Sequence, residues 1–571
     1  MKKEFFKGFW HLFKGYWQGE EKWRARGLLA VVVLLTLGGV FISVLINQWY
    51  NTFYNVLQEY KYEEFWPLIG QFTVLAFIYI AFAVYAIYLR QMLQLKWRTW
   101  MTEKYLDRWM QRQTYYRMQV EGDQADNPDQ RISEDINQFV SLTLQLALGF
   151  LKQAAMLGAF IVILWNLSGM LTVPVGSQEF TIYGYMVWLS VIYALAGTLL
   201  THKVGKKLIG LNYDQQRYEA DFRFSMMRVR ENSESIAFYR GEVPEQKVFS
   251  GRFREVIKNY WSLMRREKSL TWFTSSYSQL AIIMPLLMAA PRYFSGAIQL
   301  GGLMQISSAF GNVQDSLSFF VNSYSSIAQW TAVVKRLTSF AEHMESAGNV
   351  KEGTTLLSGK EFSMEDFSID LPAEKQQGLV QNLRLSVGRG EHLLVTGPSG
   401  AGKSTFLRAA AQIWPYCRGT LSFPEGELRM FLPQKPYLPL GRLKKAICYP
   451  EVEEFYCEQQ ILEVLDKCRL SKLSQNLEQE EDWSHVLSLG EQQRLAFARI
   501  LLAKPQWAFL DEASSAMDEE LEAYMYRLLQ TELPDTAIIS VGHRSSLFAY
   551  HQKKLHIAGD GSWDITALSW Q

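Results

Sequence analysis

GPSGAGKST, Gly397 to Thr405, decides the fold of the second half of this 571-residue chain. It fits the spacing G-x-x-x-x-G-K-[ST], and it stands in the context that this spacing requires. RGEHLLVT (Arg389 to Thr396) before it reads as a strand, and Lys403 to Trp414 after it reads as a helix. Glycines in such a turn let backbone N–H groups converge on phosphate oxygens at a helix N-terminus. The stretch Gly397, Pro398, Ser399, Gly400, Ala401, Gly402, Lys403, Ser404 and Thr405 is therefore expected to enclose the phosphates of ATP. Lys403 would reach the β and γ phosphates, and the Ser404 hydroxyl would ligate Mg²⁺.

Working outward, WAFLDE (Trp507 to Glu512) reads as an apolar strand that ends in two carboxylates. At the edge of a buried sheet these have distinct uses: Asp511 holds Mg²⁺, and Glu512 polarises the attacking water. LSLGEQQR (Leu487 to Arg494) places Ser488, Gly490 and Glu491 at the start of a helix that runs through Ala496 to Leu502. A helix N-terminus of that kind is an anion site. This stretch resembles the signature motif of ATP-binding cassette (ABC) transporters. The resemblance implies that the site closes on the γ-phosphate held by a second copy of the domain. It also implies roles for FLPQKP, whose Gln434 would contact Mg²⁺ and link nucleotide to membrane part, and for SSAMD (Ser514 to Asp518) at the dimer interface. His543 in VGHR would contact the γ-phosphate. Leu489 stands where the family usually has a glycine, and FSIDLP (Phe367 to Pro372) offers no Tyr to stack on adenine.

The first half has a different character. Gly27 to Asn47 is uncharged and long enough, at 1.5 Å per residue, to span a bilayer core. Further spans are expected at Phe65 to Leu89, Phe139 to Leu167, Ile182 to His202, Ser276 to Tyr293 and Met304 to Val333. The last is dotted with Gln305, Ser307, Ser308, Gln314, Asp315, Asn322 and Ser323, which is read as the lining of a cavity. Residues 1–26 carry seven Lys or Arg, 90–138 eight and 203–275 fifteen, whereas 48–64 and 168–181 carry Lys61 alone. Basic loops stay cytoplasmic, so both termini and two long excursions are expected on that side. The excursions contain DNPDQRISEDI (Asp126 to Ile136) and ENSESIAFYRGE (Glu231 to Glu242). In the second, Ile236, Phe238 and Tyr239 would dock on a nucleotide domain while Glu231, Glu234 and Arg240 set the approach. The basic and aromatic start of the chain suits a helix lying among lipid headgroups.

The expected architecture is thus multi-domain: an interfacial helix (1–26), an all-α six-helix transmembrane domain (27–335), a linker (336–360) and an α/β P-loop ATPase domain (361–571). A net charge of +1 speaks against a nucleic-acid binder. Cys417, Cys448, Cys457 and Cys468 show no zinc-ligand spacing and read as reduced thiols. NPDQRISEDI, ENSESIAFYRGE and APRYFSGAIQLGGLMQISSAFG (Ala290 to Gly311) are similar to stretches of BacA/SbmA-like bacterial transporters and of the related peroxisomal fatty-acyl transporters. That resemblance implies a homodimeric half-transporter of the bacterial cytoplasmic membrane that takes up peptides or other bulky hydrophilic solutes. Export of amphipathic or lipid-like compounds is the first alternative, and a membrane-anchored ATPase that moves no solute is the second.

Overall fold

The computed structural model describes residues 2–120, 127–175, 178–348, 353–371 and 378–568. Asp126 and Pro372, at the ends of two stretches singled out above, lie outside them. The chain divides into two compact units, one of Met1–Asp107 with Asp126–Ala341 and one of Arg108–Ala125 with Glu342–Gln571. Residues 336–348 are helical, and Gly353–Ser358 is a strand, so the expected linker is largely ordered secondary structure.

The first unit is built from long helices: α1 (Lys2–Gln18), α2 (Lys22–Gln58), α3 (Tyr62–Met110), α4 (Ile136–Ser168), α5 (Tyr185–Glu231), α6 (Ser233–Tyr239), α7 (Glu242–Phe294), α8 (Leu300–Leu317) and α9 (Tyr324–Gly348). Among the described residues, four helices are long and apolar enough to cross a membrane, or five if the bent pair Tyr185–Thr201 and Gly205–Glu231 counts as one span. The expected sixth span falls on α8, Phe319–Asn322 and α9. Its amides and hydroxyls keep it below the hydropathy of the others. Between α4 and α5 the chain forms an antiparallel hairpin, Met170–Val175 with Gln178–Tyr183, so Ile182 belongs to a strand and the fourth span begins at Tyr185.

Most polar side chains on α8 face helix packing rather than open space. Gln305, Gln314 and Ser316 are buried, whereas Asp315 and Asn322 are exposed. Asn51 donates to the Gln305 side chain at 2.6 Å, Asn55 donates to Asn51 at 2.8 Å, and the Gly301 N–H donates to Asn55 at 2.8 Å. Burying amides is costly unless they pair, and this ladder pairs them along the α2–α8 seam. α1 is also more than a surface helix. Its Tyr16 and Trp17 are buried, with Tyr16 stacked on Trp97 at 5.7 Å and Phe9 edge-on to Trp330 at 5.1 Å. Phe6 and Trp10 on its other face remain exposed.

The second unit carries two large sheets besides the short antiparallel pair Gly441–Arg442 with Glu480–Glu481. A six-stranded sheet runs Trp563–Ala567, Lys553–Ile557, His392–Thr396, Ala537–Val541, Trp507–Asp511, Arg429–Leu432, all parallel except the first. Its central strands are apolar without alternation because both faces are covered. A second, four-stranded sheet pairs Gly353–Ser358, Cys417–Phe423, Phe362–Asp370 and Gly378–Val387. Phe362, Phe367, Phe406, Val395 and Phe509 belong to one core, and Phe497, Ile461, Trp483 and Met525 to another under the helices. Three of the four cysteines are buried, Cys457 is exposed, and all are free thiols.

Candidate functional site

Parallel strands end on one edge, and this sheet delivers its chemistry there. Thr396 leads into the glycine-rich turn, Leu432 stands two residues before Gln434, Asp511 closes its strand with Glu512 next, and Val541 precedes His543. The strand expected at 389–396 is formed over His392–Thr396, and the helix expected at 403–414 ends at Ala410. Gly397 takes φ 148, and a Cβ there would collide with the Ile557 carbonyl, so no larger residue fits. Gly402 sits at φ 97 as the cap of the Lys403–Ala410 helix.

Lys403 curls back over the turn, with Nζ donating to the carbonyls of Gly397 at 3.0 Å and Pro398 at 2.9 Å. Burial lowers its pKa, partly opposed by the Glu512 and Asp511 carboxylates. The Ser404 hydroxyl donates to Asp511 Oδ1 at 3.0 Å. Burial pushes the Asp511 carboxyl up, and the Ser404 hydrogen bond only partly offsets this. A hydroxyl beside a desolvated carboxylate is a hard oxygen donor set, which suits Mg²⁺ completed by phosphate and water. Among the described residues no cluster of three His, Cys, Asp or Glu exists that would favour a softer ion.

Glu512 is the meeting point. Gln434 Nε2 donates to its Oε2 at 2.9 Å, and His543 Nε2 lies 3.2 Å from its Oε1. Its φ of 47 places a non-glycine residue in the left-handed region, a strain held where the surroundings over-determine the backbone. The Glu512 N–H is tied to the Val541 carbonyl at 3.1 Å.

The signature residues are built differently. Leu489–Ala503 is a helix capped by Ser488, whose hydroxyl accepts from the Glu491 N–H while the Glu491 carboxylate accepts from the Ser488 N–H at 2.9 Å. This reciprocal capping box satisfies two orphan donors of the helix end. Burial alone would raise the Glu491 pKa, but the ion pair with Lys472 and the Ser488 hydrogen bonds prevail and hold it at about 2. Leu489 is 41% exposed, so it is absorbed by no core. Among the described residues no hydrogen bond joins Ser488, Gly490 or Glu491 to Gly397–Thr405. Phe367 is fully buried in the core, so FSIDLP presents no ring to an adenine.

Gln493 escaped the sequence reading although it lies inside the signature. It is fully buried, and its Nε2 donates to the Gln434 carbonyl and to Ser515 Oγ, each at 3.0 Å. Its Oε1 accepts from the Ala516 N–H at 3.0 Å. One amide therefore joins the Gln434 loop, the signature helix and the loop after Glu512. Gln492 and Arg499 are buried on the same helix, so polarity along the chain did not single Gln493 out.

Known proteins place this geometry. Residues 12–294 match the model for ABC transporter transmembrane region 2, and residues 380–515 match that for ABC transporter. An ABC transporter ATP-binding protein of Haemophilus influenzae is 38% identical over 559 residues, 98% of this chain and 93% of that one. The chain belongs to the ABC transporter family. An inner membrane ABC transporter ATP-binding protein of Escherichia coli, YddA, is 35% identical over 94% of this chain and 95% of its own. The solved structure of a bacterial Atm1-family ABC exporter with ATP bound superposes with a TM-score of 0.74 at 16% identity, covering 94% of each chain, which speaks for the fold. As an ABC transporter the chain hydrolyses ATP, with Mg²⁺ as the usual cofactor, to drive transport across a membrane. The reading as an anchored ATPase that moves no solute is overturned by this membership.

Proposed function

We propose that the chain acts as a homodimeric half-transporter that carries peptides or other bulky hydrophilic solutes into the cytoplasm of a bacterium, with both termini and the ATPase unit on the cytoplasmic side. The polar complement of the membrane unit carries this reading. Asn51, Asn55 and Gln305 are taken up by the α2–α8 seam, but Asp315 and Asn322 stay exposed on the polar stretch, and exposed polar groups at membrane depth are what a solute path needs and a passive anchor does not. Charge asymmetry sets the orientation, because the basic loops all fall on one side.

In this mechanism Gly397 to Thr405 hold the phosphates, Lys403 neutralises the β and γ groups, and Ser404, Asp511 and Gln434 hold Mg²⁺. Mg²⁺ supplies charge neutralisation at the transferring phosphoryl group. Glu512 takes the proton of the attacking water, and His543 steadies the γ-phosphate from the other side of that carboxylate. Ser488, Gly490 and Glu491, unconnected to their own phosphate turn, meet the nucleotide of the second copy. Closure of two ATP-loaded units then drives the membrane helices, through differential affinity for the two states. ENSESIAFYRGE receives the motion. It forms the elbow helix α6 between α5 and α7, held by the Gly241 N–H donating to the Ile236 carbonyl at 2.9 Å. Phe238 is 80% and Tyr239 86% exposed, a pair of rings offered to a partner.

A cavity of about 340 Å³ supports a second reading, export of amphipathic compounds. Val32, Leu35, Phe82 and Ile87 line it together with Arg90 and Lys152, apolar walls with two cations. ATPase stimulation of the purified protein in lipid vesicles, tested with a peptide set and a lipid set, separates the readings. Stimulation by peptides alone supports uptake of hydrophilic solutes, and stimulation by lipids alone refutes it.

A further inference from the structure

α5 and α7 pack as an antiparallel pair fixed by two sets of interhelical hydrogen bonds. Near the middle of their apolar runs the Tyr277 hydroxyl donates to the Tyr193 carbonyl at 3.1 Å, the Tyr193 hydroxyl donates back to the Tyr277 carbonyl at 2.5 Å, and the rings stack at 4.3 Å. Further along, the buried Asn259 amide donates to the Leu211 carbonyl at 2.9 Å and to Gln215 Oε1 at 3.0 Å. Between these pins lies a groove of about 680 Å³ whose walls include Lys206 and Lys207 from α5 and Arg265 and Arg266 from α7. All four cations are exposed, and Lys203 and Lys268 stand within a turn of them. The nearby Asp214 carboxylate is engaged by Arg217 at 3.3 Å. Among the described residues none of the four cations forms an ion pair.

Depth gives the groove its meaning. On α5 the uncharged run Tyr185–Thr201 is centred on Tyr193, and on α7 the run between Lys268 and Arg292 is centred near Leu280. At 1.5 Å per residue, Lys206 lies roughly 20 Å and Arg265 roughly 22 Å from those centres. The hydrocarbon half-thickness is about 15 Å, and the headgroups extend to about 20–22 Å. The four cations therefore stand at headgroup level, on the more basic side of the membrane unit. Trp272, 72% exposed, sits about 12 Å from the centre of its run, where interfacial tryptophans lie.

We infer that this groove is a binding site for the phosphate headgroup of an anionic phospholipid, taken from the leaflet on the basic side, and that its occupancy tunes the transport cycle through the α5–α7 pair. A cluster of cations immediately beyond two apolar spans is the pattern that recruits anionic lipid. Ser262 and Ser269, also in the groove wall, donate their hydroxyls to the Lys258 and Arg265 carbonyls, so the four cations carry the recognition of phosphate. The pair continues into the elbow Ser233–Tyr239, so a lipid that bridges α5 and α7 stiffens the arm that presents Phe238 and Tyr239. The inference is independent of transport direction and of the solute.

The test uses the full chain in nanodiscs of phosphatidylcholine, with or without one-fifth phosphatidylglycerol, and reads retained phosphatidylglycerol by native mass spectrometry and ATPase rate in parallel. The wild type is expected to retain phosphatidylglycerol and to change its ATPase rate with it. Lys206→Gln with Lys207→Gln, and separately Arg265→Gln with Arg266→Gln, should each weaken retention roughly 25-fold, at about fivefold per cation. Lys206→Arg with Lys207→Arg keeps the charge and should retain lipid, which distinguishes a lost site from a damaged fold. Equal retention in wild type and both Gln pairs overturns the proposal. Abolition of retention by millimolar inorganic phosphate would also overturn it, because the groove would then serve a free anion.

Discussion

Gln493→Ala isolates the connection that joins three loops of the ATP site. The substitution removes a fully buried amide and with it the bonds to the Gln434 carbonyl, Ser515 Oγ and the Ala516 N–H, each at 3.0 Å. A net hydrogen bond is worth about 0.5–1.5 kcal/mol, and a buried group left unpaired costs about 1–3 kcal/mol. Three bonds lost together, with some relaxation, come to about 3 kcal/mol. If that loss falls on the placement of Glu512, kcat for ATP hydrolysis drops by up to about 100-fold, at 1.36 kcal/mol per tenfold. None of the three bonds reaches Gly397 to Thr405, so ATP affinity should stay within about threefold, under 1 kcal/mol. Steady-state ATPase kinetics and nucleotide binding by fluorescence read the two quantities separately. Gln493→Met, which keeps the volume and removes the polar atoms, should match the alanine variant. Wild-type kcat in the methionine variant would refute the role of these hydrogen bonds, and equal loss of ATP affinity and kcat would show that the whole site had collapsed.

Other outcomes follow from the same geometry. Glu512→Gln should lower ATP hydrolysis about 10²- to 10⁴-fold, while ATP still brings two copies together in a cross-linking assay; unchanged hydrolysis excludes Glu512 as the base. Phe238→Ala with Tyr239→Ala should leave ATP binding intact and abolish solute-stimulated ATPase, since both rings are exposed and stabilise nothing within the unit; normal coupling would return the elbow to a solvated turn. Glu491 is held at about 2 against an ordinary 4.5, so its contribution is complete above pH 4.5 and is lost as pH falls toward 2. Thermal unfolding of Glu491→Gln should therefore lose part of the wild-type acid sensitivity in that window, and identical pH profiles contradict the capping role.

Much of the ATP unit could be read from the chain because its chemistry is local. A glycine-rich turn, a strand ending in two carboxylates and a capped helix each occupy fewer than about twenty residues, and their order along the chain matches their arrival at one sheet edge. What escaped was set by distant contacts. Gln493 acquires meaning only when the Gln434 and Ser515 loops fold against its helix. Tyr16 and Trp17 looked like interfacial aromatics, yet they close on Trp97 some eighty residues away. Gln305 and Gln314 advertised polarity at membrane depth, but α2 supplies Asn51, so Gln305 pairs across a helix seam. Hydropathy likewise marked Ile182 as the start of a span, whereas pairing with Leu171 draws it into a strand. Charge and apolar periodicity locate helices; they do not say which neighbour each polar group will find.

The central claim is ATP-driven uptake, and direction is its sharpest test. In sealed vesicles with the ATPase units facing outward, the vesicle lumen stands for the outside of the cell. Labelled peptide trapped in the lumen should leave when ATP and Mg²⁺ are added to the medium, and should stay when Glu512→Gln protein is used. ATP-dependent accumulation of peptide or lipid probe in the lumen would contradict the account.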